Sequence, residues 1–337
     1  MANLLLTTKC VRSCPYCFAK NEMTESDPAD TISWENLLYL ADFLIHSNEY
    51  HIALLGGEPT LHQQFVDIVL YLIERGFHVT IFTSGLMSDT RLEEMEFHLT
   101  QISSDRIQFV CNLNDPEQTS MPDSELDRVC RFLLAMGPWT VPGFNIYRKD
   151  FRLDFIFSYI ARFGMRNHLR LGISSPIPNQ NNIYIKKEDM KEVIDRLLDY
   201  RNLFEKFRVR PNLDCGFPLC YFTDEQLGWF FRMAGMVNFG CGPAIDIKPN
   251  MDVYSCFPLS NIHKRSLFEF NSIKDVIAFY VNLHNQIRED LKGVFDECTA
   301  CIHRDEGRCS GGGVCQILRH FANETSKPCV PLQPGIA

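Results

Sequence analysis

Three cysteines within one short loop constrain this chain more than any other feature. Cys10, Cys14 and Cys17 stand at the spacing Cys-x3-Cys-x2-Cys. They follow the apolar run Leu4-Leu5-Leu6-Thr7-Thr8, which reads as a buried strand, so the thiols lie on the loop leaving the first strand. Closely spaced thiolates on a loop suit an iron–sulfur cluster. A cubane held by three of them keeps one iron open to another ligand. A structural zinc site calls for four protein ligands, and no fourth Cys or His stands nearby at finger spacing.

The segments that follow alternate in period. Residues 34–46 carry apolar positions at helical spacing behind Ser33, a suitable N-cap. His51-Ile52-Ala53-Leu54-Leu55 reads as a strand running into Gly56-Gly57-Glu58-Pro59-Thr60, with a helix from Leu61 to about Arg75 ended by Gly76. The pattern continues as strand 78–83, helix 88–98, strand 106–112, helix 123–135, strand 143–147, helix 151–163 and strand 169–174. Strands alternating with helices imply parallel pairing and right-handed crossovers. Six such units predict an α/β fold, a partial (β/α)6 TIM-like barrel with its chemistry at the C-terminal ends of the strands. After about residue 180 the repeat lapses. Residues 187–207 read as a charged amphipathic helix. The expected division is a barrel over 1–180, a helical bridge over 181–236 and a cysteine-rich unit over 237–337.

The chain has 337 residues and a net charge of −9, which argues against a general nucleic-acid binder. No run of eighteen apolar residues is present, so no membrane span is expected. The first residues lack the basic region and cleavage site of a secretory signal. A reducing, cytoplasmic location is the expectation, and there clustered thiols more often hold metal than form disulfides. Fourteen cysteines are unevenly spread, with nine between Cys215 and Cys329. Cys111 and Cys130 fall on a strand and a helix and read as small core residues.

The Cys-x3-Cys-x2-Cys loop, with Tyr16 just before its third cysteine, resembles the signature of the radical S-adenosylmethionine superfamily. That resemblance implies a 4Fe–4S cluster whose open iron is chelated by the amino and carboxylate groups of S-adenosylmethionine. The reduced cluster then cleaves it to a 5′-deoxyadenosyl radical. The loop Gly56-Gly57-Glu58-Pro59 is similar to the family's motif for the methionine amino group, with Glu58 accepting from the ammonium. The strand ends suggest further cofactor contacts at Ser84, Asn112, Asn145 and Arg148, the last pairing with the methionine carboxylate. Loop capping and surface solvation explain these four about equally well.

In the last third, Ile245 to Tyr254 alternates around Pro249-Asn250-Met251-Asp252 and reads as a β-hairpin, followed by a helix at about 272–289. Cys241, Cys256, Cys298, Cys301, Cys309, Cys315 and Cys329 resemble the SPASM extension of radical enzymes. That extension implies two auxiliary 4Fe–4S clusters. The distal one would take Cys298, Cys301, Cys309 and Cys329; the nearer would take Cys241, Cys256 and Cys315. Two departures stand out. Met251 occupies a position where the family has glycine, and beside it Asn250 is able to supply the left-handed turn. Cys301-x7-Cys309-x5-Cys315 is longer than the common spacing. The nearer cluster lacks one ligand, which either Cys215 or Cys220 can complete. The other would be a thiol beside the cluster, a hydrogen-atom donor or a core residue; a third alternative is that neither binds iron.

Enzymes with this extension commonly modify ribosomal peptides through thioether or carbon–carbon cross-links. The first expectation is therefore a radical enzyme that oxidises a peptide or protein side chain. The sulfatase-maturing branch has an aspartate directly after the second SPASM cysteine, where Phe257 stands here. A second expectation is a peptide epimerase, with Cys215 or Cys220 quenching the carbon radical. A third is a non-catalytic iron–sulfur electron carrier. The common N-terminal peptide-recognition domain is not seen ahead of Cys10. Peptide capture would then use the barrel, the bridge or a separate peptide-recognition protein, with a flavodoxin- or ferredoxin-type electron donor.

Overall fold

The computed structural model describes residues 2–17, 19, 30–119, 121–178, 180–234 and 237–325. In chain order the first half runs β1 (Ala2–Thr7), α1 (Trp34–His46), β2 (His51–Gly56), α2 (Phe65–Glu74), β3 (His78–Thr83), α3 (Asp89–Leu99), β4 (Ile107–Asn112), α4 (Asp123–Met136), β5 (Thr140–Ile146), α5 (Asp154–Phe163) and β6 (His168–Ile173). The second half runs α6 (Met190–Asp199), α7 (Arg201–Phe207), β7 (Arg210–Leu213), α8 (Asp224–Ala234), β8 (Ile245–Ile247), β9 (Asp252–Ser255), β10 (Arg265–Ser266), α9 (Ile273–Leu291), α10 (Ile302–Asp305) and α11 (Val314–Thr325).

Neighbouring strands from β1 to β7 pair in parallel. The sheet order is β10-β9-β8-β1-β2-β3-β4-β5-β6-β7, an open sheet with β7 and β10 at its edges. This is the α/β partial barrel expected from the strand–helix alternation. Two strands extend it beyond six. β7 follows the two bridge helices, and β8 pairs in parallel with β1 on the other side, so the C-terminal hairpin continues the same sheet.

The register explains where the site lies. Asn3, Ala53, Thr80 and Gln108 are successive cross-strand partners, as are Asn112, Gly143, Arg170 and Asn212. Side chains alternate faces along a strand, so these polar and small residues share one face. The other face carries Leu4, Leu54, Ile81, Phe109 and Leu171, all inaccessible, in one core with the buried residues of the helices. A sheet apolar only toward its helices leaves a polar concave side for a ligand. A separate small core of Leu259, Ile287, Val314 and Leu318 sits under α9 and α11.

Helix starts follow local chemistry. Ser33, Ser88 and Ser272 accept backbone N–H groups at the N-termini of α1, α3 and α9. Several boundaries differ from the sequence expectation. The helix expected from Leu61 is a 3-10 turn at Pro59–Leu61, and α2 begins only at Phe65 because His62 is extended (ψ 130°). The segment expected as helix from residue 151 starts at Asp154, after Phe151 and Leu153 have been buried. The single helix expected over 187–207 divides at Tyr200 into α6 and α7. In the hairpin turn it is Met251, not Asn250, that takes the left-handed conformation (φ 68°), and its side chain is fully buried. Burial of the long side chain offsets the strain that glycine would avoid.

Candidate functional site

The three-cysteine loop leaves β1 and is held backbone to backbone against the loop leaving β2. Gly57 N donates to Thr7 O at 2.9 Å and Glu58 N to Lys9 O at 2.8 Å. A Cβ on Gly56 would stand 2.1 Å from Thr7 O; one on Gly57 would stand 2.1 Å from Lys9 O and 2.8 Å from the Cys10 Cβ. The two glycines therefore serve the contact between the loops. Gly56 also has φ 143°, which side chains rarely adopt. Cys10 is exposed, Cys14 and Cys17 half-buried, and Cys17 N donates to Cys14 O. Phe18 and Lys20 lie outside the described residues.

Burial pushes the Cys10 and Cys14 thiols above their ordinary range, and the Arg12 guanidinium opposes this at both. Arg12 donates to Asn112 O and, at 2.5 Å, to Glu125 Oε1 on α4. It thus clamps the loop over the end of β4. Tyr16 is buried; its hydroxyl donates to Asn114 Oδ1 at 2.6 Å and its ring stacks on Tyr147 at 4.7 Å.

Glu58 has a task different from the one expected of it. Its side chain is inaccessible to solvent and both oxygens are filled from within. Oε1 accepts from the Thr60 and Thr83 hydroxyls at 2.9 and 2.8 Å and from Thr60 N at 3.4 Å; Oε2 accepts from Ser84 N at 2.8 Å and Ser84 Oγ at 2.6 Å. A carboxylate has about four lone-pair positions, and the four close bonds occupy them within the protein. Glu58 ties the β2 loop to the end of β3, and Ser84 is engaged in that tie. Arg148 is likewise occupied: its guanidinium grips Asp150 through two bonds on the surface, and the carboxylate contact expected of it would require breaking that pair.

Asn112 and Asn145 lie together on the polar face of the sheet. Asn112 Oδ1 is buried without a hydrogen-bond partner. A Cβ on Gly143 would stand 2.8 Å from Asn112 Oδ1, and one on Gly172 would stand 2.6 Å from Asn145 Oδ1. Each amide thus lies over a glycine of the next strand. Asn145 Oδ1 also sits 3.5 Å from Arg170 Nη1.

The C-terminal thiols fall into two groups, and the open choice between Cys215 and Cys220 divides between them. Cys215, two residues after β7, lies in the electrostatic reach of Cys241 and Cys315; Cys256 lies in that of Cys241 and Cys215. Cys220 lies beside Cys298, Cys301 and Cys309 instead. The Tyr221 ring packs on Phe295 at 5.4 Å, which brings the Cys220 segment against the turn Asp296–Ala300 that holds Cys298. Desolvation by the surrounding protein and the neighbouring thiols push Cys215, Cys256 and Cys298 up, Cys220 to about 11 and Cys315 to about 12. Such groups are unfavourable as bare thiolates and favourable around a cation. Ala244 N donates to Cys256 Sγ at 3.3 Å, as suits a ligating sulfur. A Cβ on Gly293 would stand 2.6 Å from Cys298 Sγ. Cys329 lies outside the described residues. None of the thirteen described cysteines is in a disulfide. Cys111 is fully buried in the core and Cys130 packs against it.

Among the described residues, no group of three or more His, Cys, Asp or Glu closes on the volume of a single metal ion. In a cubane each thiolate binds a different iron, so the sulfurs stand further apart than around one ion.

Several site residues were not singled out from the sequence: Arg12, Glu125, Asn114, Tyr147, Arg170 and Asp214. Arg12 was visible as a lone cation between cysteines. Arg170 pairs with Asp214 and lies over the Phe82 ring at 5.4 Å. Its signal was alternation, since residues 170, 172 and 174 are Arg, Gly and Ser in an apolar strand. A cavity of about 480 Å³ lies between the segment after β6 and α11.

Residues 4–103 match the model of the Radical SAM superfamily. Among curated proteins it is similar to the PqqA peptide cyclase of Methylobacterium nodulans, 37% identical over 82 residues, which are 24% of this chain and 21% of the relative. It is also similar to an S-adenosylmethionine-dependent nucleotide dehydratase of Selenomonas ruminantium, 36% identical over 96 residues, covering 27% of this chain and 32% of the relative. The chain thus spans about a fifth to a third of the length of these relatives. Two solved structures share the fold across nearly all of this chain, each 14% identical. Streptococcus suis SuiB bound to S-adenosylmethionine superposes with a TM-score of 0.60, covering 93% of this chain and 77% of that one. Native anSMEcpe with bound AdoMet gives 0.62, covering 97% and 95%.

Proposed function

We propose that this chain is a radical enzyme that binds a 4Fe–4S cluster on Cys10, Cys14 and Cys17, cleaves S-adenosylmethionine reductively and oxidatively modifies a peptide or protein side chain. The observation that carries it is the three-thiol loop locked to the Gly56-Gly57 loop at the C-terminal rim of the sheet, with two more thiol groups nearby. When bound, the cluster and S-adenosylmethionine supply a 5′-deoxyadenosyl radical, chemistry no side chain provides.

The chain's own residues do the rest. Arg12 favours the thiolate of Cys14 and fixes the loop on β4. Glu58 sets the spacing of the β2 and β3 ends, so its contribution to cofactor binding passes through backbone position. Asn112 and Asn145 offer amide groups on the concave face. Arg170 and Asp214 give that face paired charge beside Cys215. Cys215, Cys241, Cys256 and Cys315 form the nearer auxiliary set. Cys298, Cys301 and Cys309 form the distal set, with Cys220 beside them and Cys329 implied by resemblance. In this account 1–180 is the catalytic barrel, 181–236 the bridge and 237–337 the auxiliary unit, with electrons arriving from a flavodoxin or ferredoxin.

A peptide substrate is supported by the name of the PqqA peptide cyclase and by the solved complex of SuiB with its precursor peptide SuiA. Epimerisation is less well supported, because it needs a free thiol and both Cys215 and Cys220 sit among other thiols. No described helix is long and apolar enough to cross a membrane. The test is coexpression with short peptides encoded beside the gene, in deuterated water. A mass loss of about two hydrogens marks an oxidative cross-link. A gain of about one unit marks epimerisation, and unchanged peptides contradict the peptide reading.

A further inference from the structure

The cavity of about 480 Å³ has no role in the account so far. Its walls adjoin the C-terminal thiols. Pro176, just after β6, and Pro218, three residues after Cys215, form one side; Val294, Gln316 and Arg319 form the other. Gln316 follows Cys315 and donates to Gly216 O, and Tyr221, also in the wall, follows Cys220. The volume lies in the range of small-ligand sites.

Its charge departs from that of the whole chain. The chain is acidic, yet three cations, Lys186, Lys187 and Arg319, line the cavity against a single carboxylate, Glu188. Lys187 and Arg319 are half-buried. Neutral acceptors hold both: Lys187 Nζ donates to Val294 O at 3.1 Å and to His320 Nδ1 at 3.3 Å, and Arg319 Nη2 to Asn181 Oδ1 at 3.2 Å. Among the described residues neither has a carboxylate within 4.0 Å, whereas Lys149, Arg152 and Arg170 nearby all do. Arg319 Nε is buried without a partner. Ile185, Met190, Val294 and the two prolines supply apolar walls. Two fixed, uncompensated cations among apolar walls match an anionic head on a short aliphatic stem.

We infer that this cavity binds the carboxylate of an acidic side chain of the peptide substrate and so sets which residue is presented to the radical centre. The inference rests on the peptide reading of the function. It is tested by binding alone, so its failure and the failure of that reading are separable.

The experiment is anaerobic calorimetric titration of the full chain with two matched probes, Gly-Gly-Glu-Gly-Gly and Gly-Gly-Gln-Gly-Gly, both end-capped, and with free glutarate and cytidine triphosphate. The glutamate probe should bind at least about tenfold tighter than the glutamine probe, with the difference shrinking in high salt. Arg319→Gln should abolish the difference, and Arg319→Glu should remove binding of the glutamate probe. The exposed Lys186→Gln, which disturbs no fixed contact, should reduce it and guards against misfolding in the Arg319 variants. Equal binding of the two probes, or a preference that survives Arg319→Gln, would overturn the inference. So would glutarate binding as tightly as the peptide, which makes the site one for a free acid. Tighter binding of the triphosphate would overturn it in favour of a nucleotide.

Discussion

Replacing Glu58 separates two tasks that sequence resemblance and structure assign differently. The carboxylate accepts four close bonds and one longer one while fully buried. In Glu58→Gln the amide oxygen can keep the two Ser84 contacts, and the Thr60 and Thr83 hydroxyls can rotate to accept from the amide nitrogen. Charge assistance is lost on each close bond, about 1 kcal/mol apiece. Relief from burying a charge returns part of this, leaving a net loss of about 2 kcal/mol. Glu58→Ala leaves Ser84 N and three hydroxyls without an acceptor, so its loss is about 5 kcal/mol at roughly 1–3 kcal/mol for each group that finds no water. The assay is urea unfolding of the iron-free chain, followed by circular dichroism. The expected order of midpoints is wild type, then Gln, then Ala. If both variants unfold as wild type does while S-adenosylmethionine affinity collapses, Glu58 faces the ligand and the structural assignment is refuted.

Three further outcomes are expected. Gly57→Ala drives a methyl group into Lys9 O, so the chain should keep its helix content but lose about four iron atoms after anaerobic reconstitution; full loading would show that the two loops separate freely. Cys215→Ala should also lose about four iron atoms, whereas Cys220→Ala should alter the low-temperature electron paramagnetic resonance of a different cluster. A variant indistinguishable from wild type in both readouts removes that cysteine from its set. His284 is buried against the Ser255 hydroxyl, and burial with Arg288 nearby holds its folded pKa down to about 4. The unfolded chain therefore binds a proton first, so stability falls as pH drops from about 6.5 toward 4, by up to about 3 kcal/mol. His284→Gln should flatten that part of the stability profile relative to wild type, and an unchanged slope would contradict the assignment.

The parts of the fold legible in the sequence were those with a strong period and a local stop signal. α1 starts and ends where Ser33 and the apolar spacing put it. β3 coincides with the alternating run ahead of Ser84. β7 is not legible because Pro211 and Asn212 interrupt its apolar pattern and one face is polar. The joining of β8 to β1 was not legible, because pairing between segments 243 residues apart leaves no local trace. At the site, the residue types were visible but their engagement was not. Glu58 and Arg148 both looked like ligand contacts, and only the positions of Ser84, Thr83 and Asp150 show them occupied. Cys215 and Cys220 are five residues apart in sequence, yet they join different groups because one lies in the bend two residues after β7 and the other sits in a 3-10 turn packed on Phe295.

The central claim is that Cys10, Cys14 and Cys17 hold a cluster that cleaves S-adenosylmethionine. Anaerobically reconstituted protein, reduced with dithionite and supplied with S-adenosylmethionine, should release 5′-deoxyadenosine and methionine, measured by mass spectrometry. Cys14→Ala should release none while keeping the iron of the two auxiliary sets. Absence of 5′-deoxyadenosine from fully iron-loaded wild type, or its undiminished release by Cys14→Ala, would contradict the account.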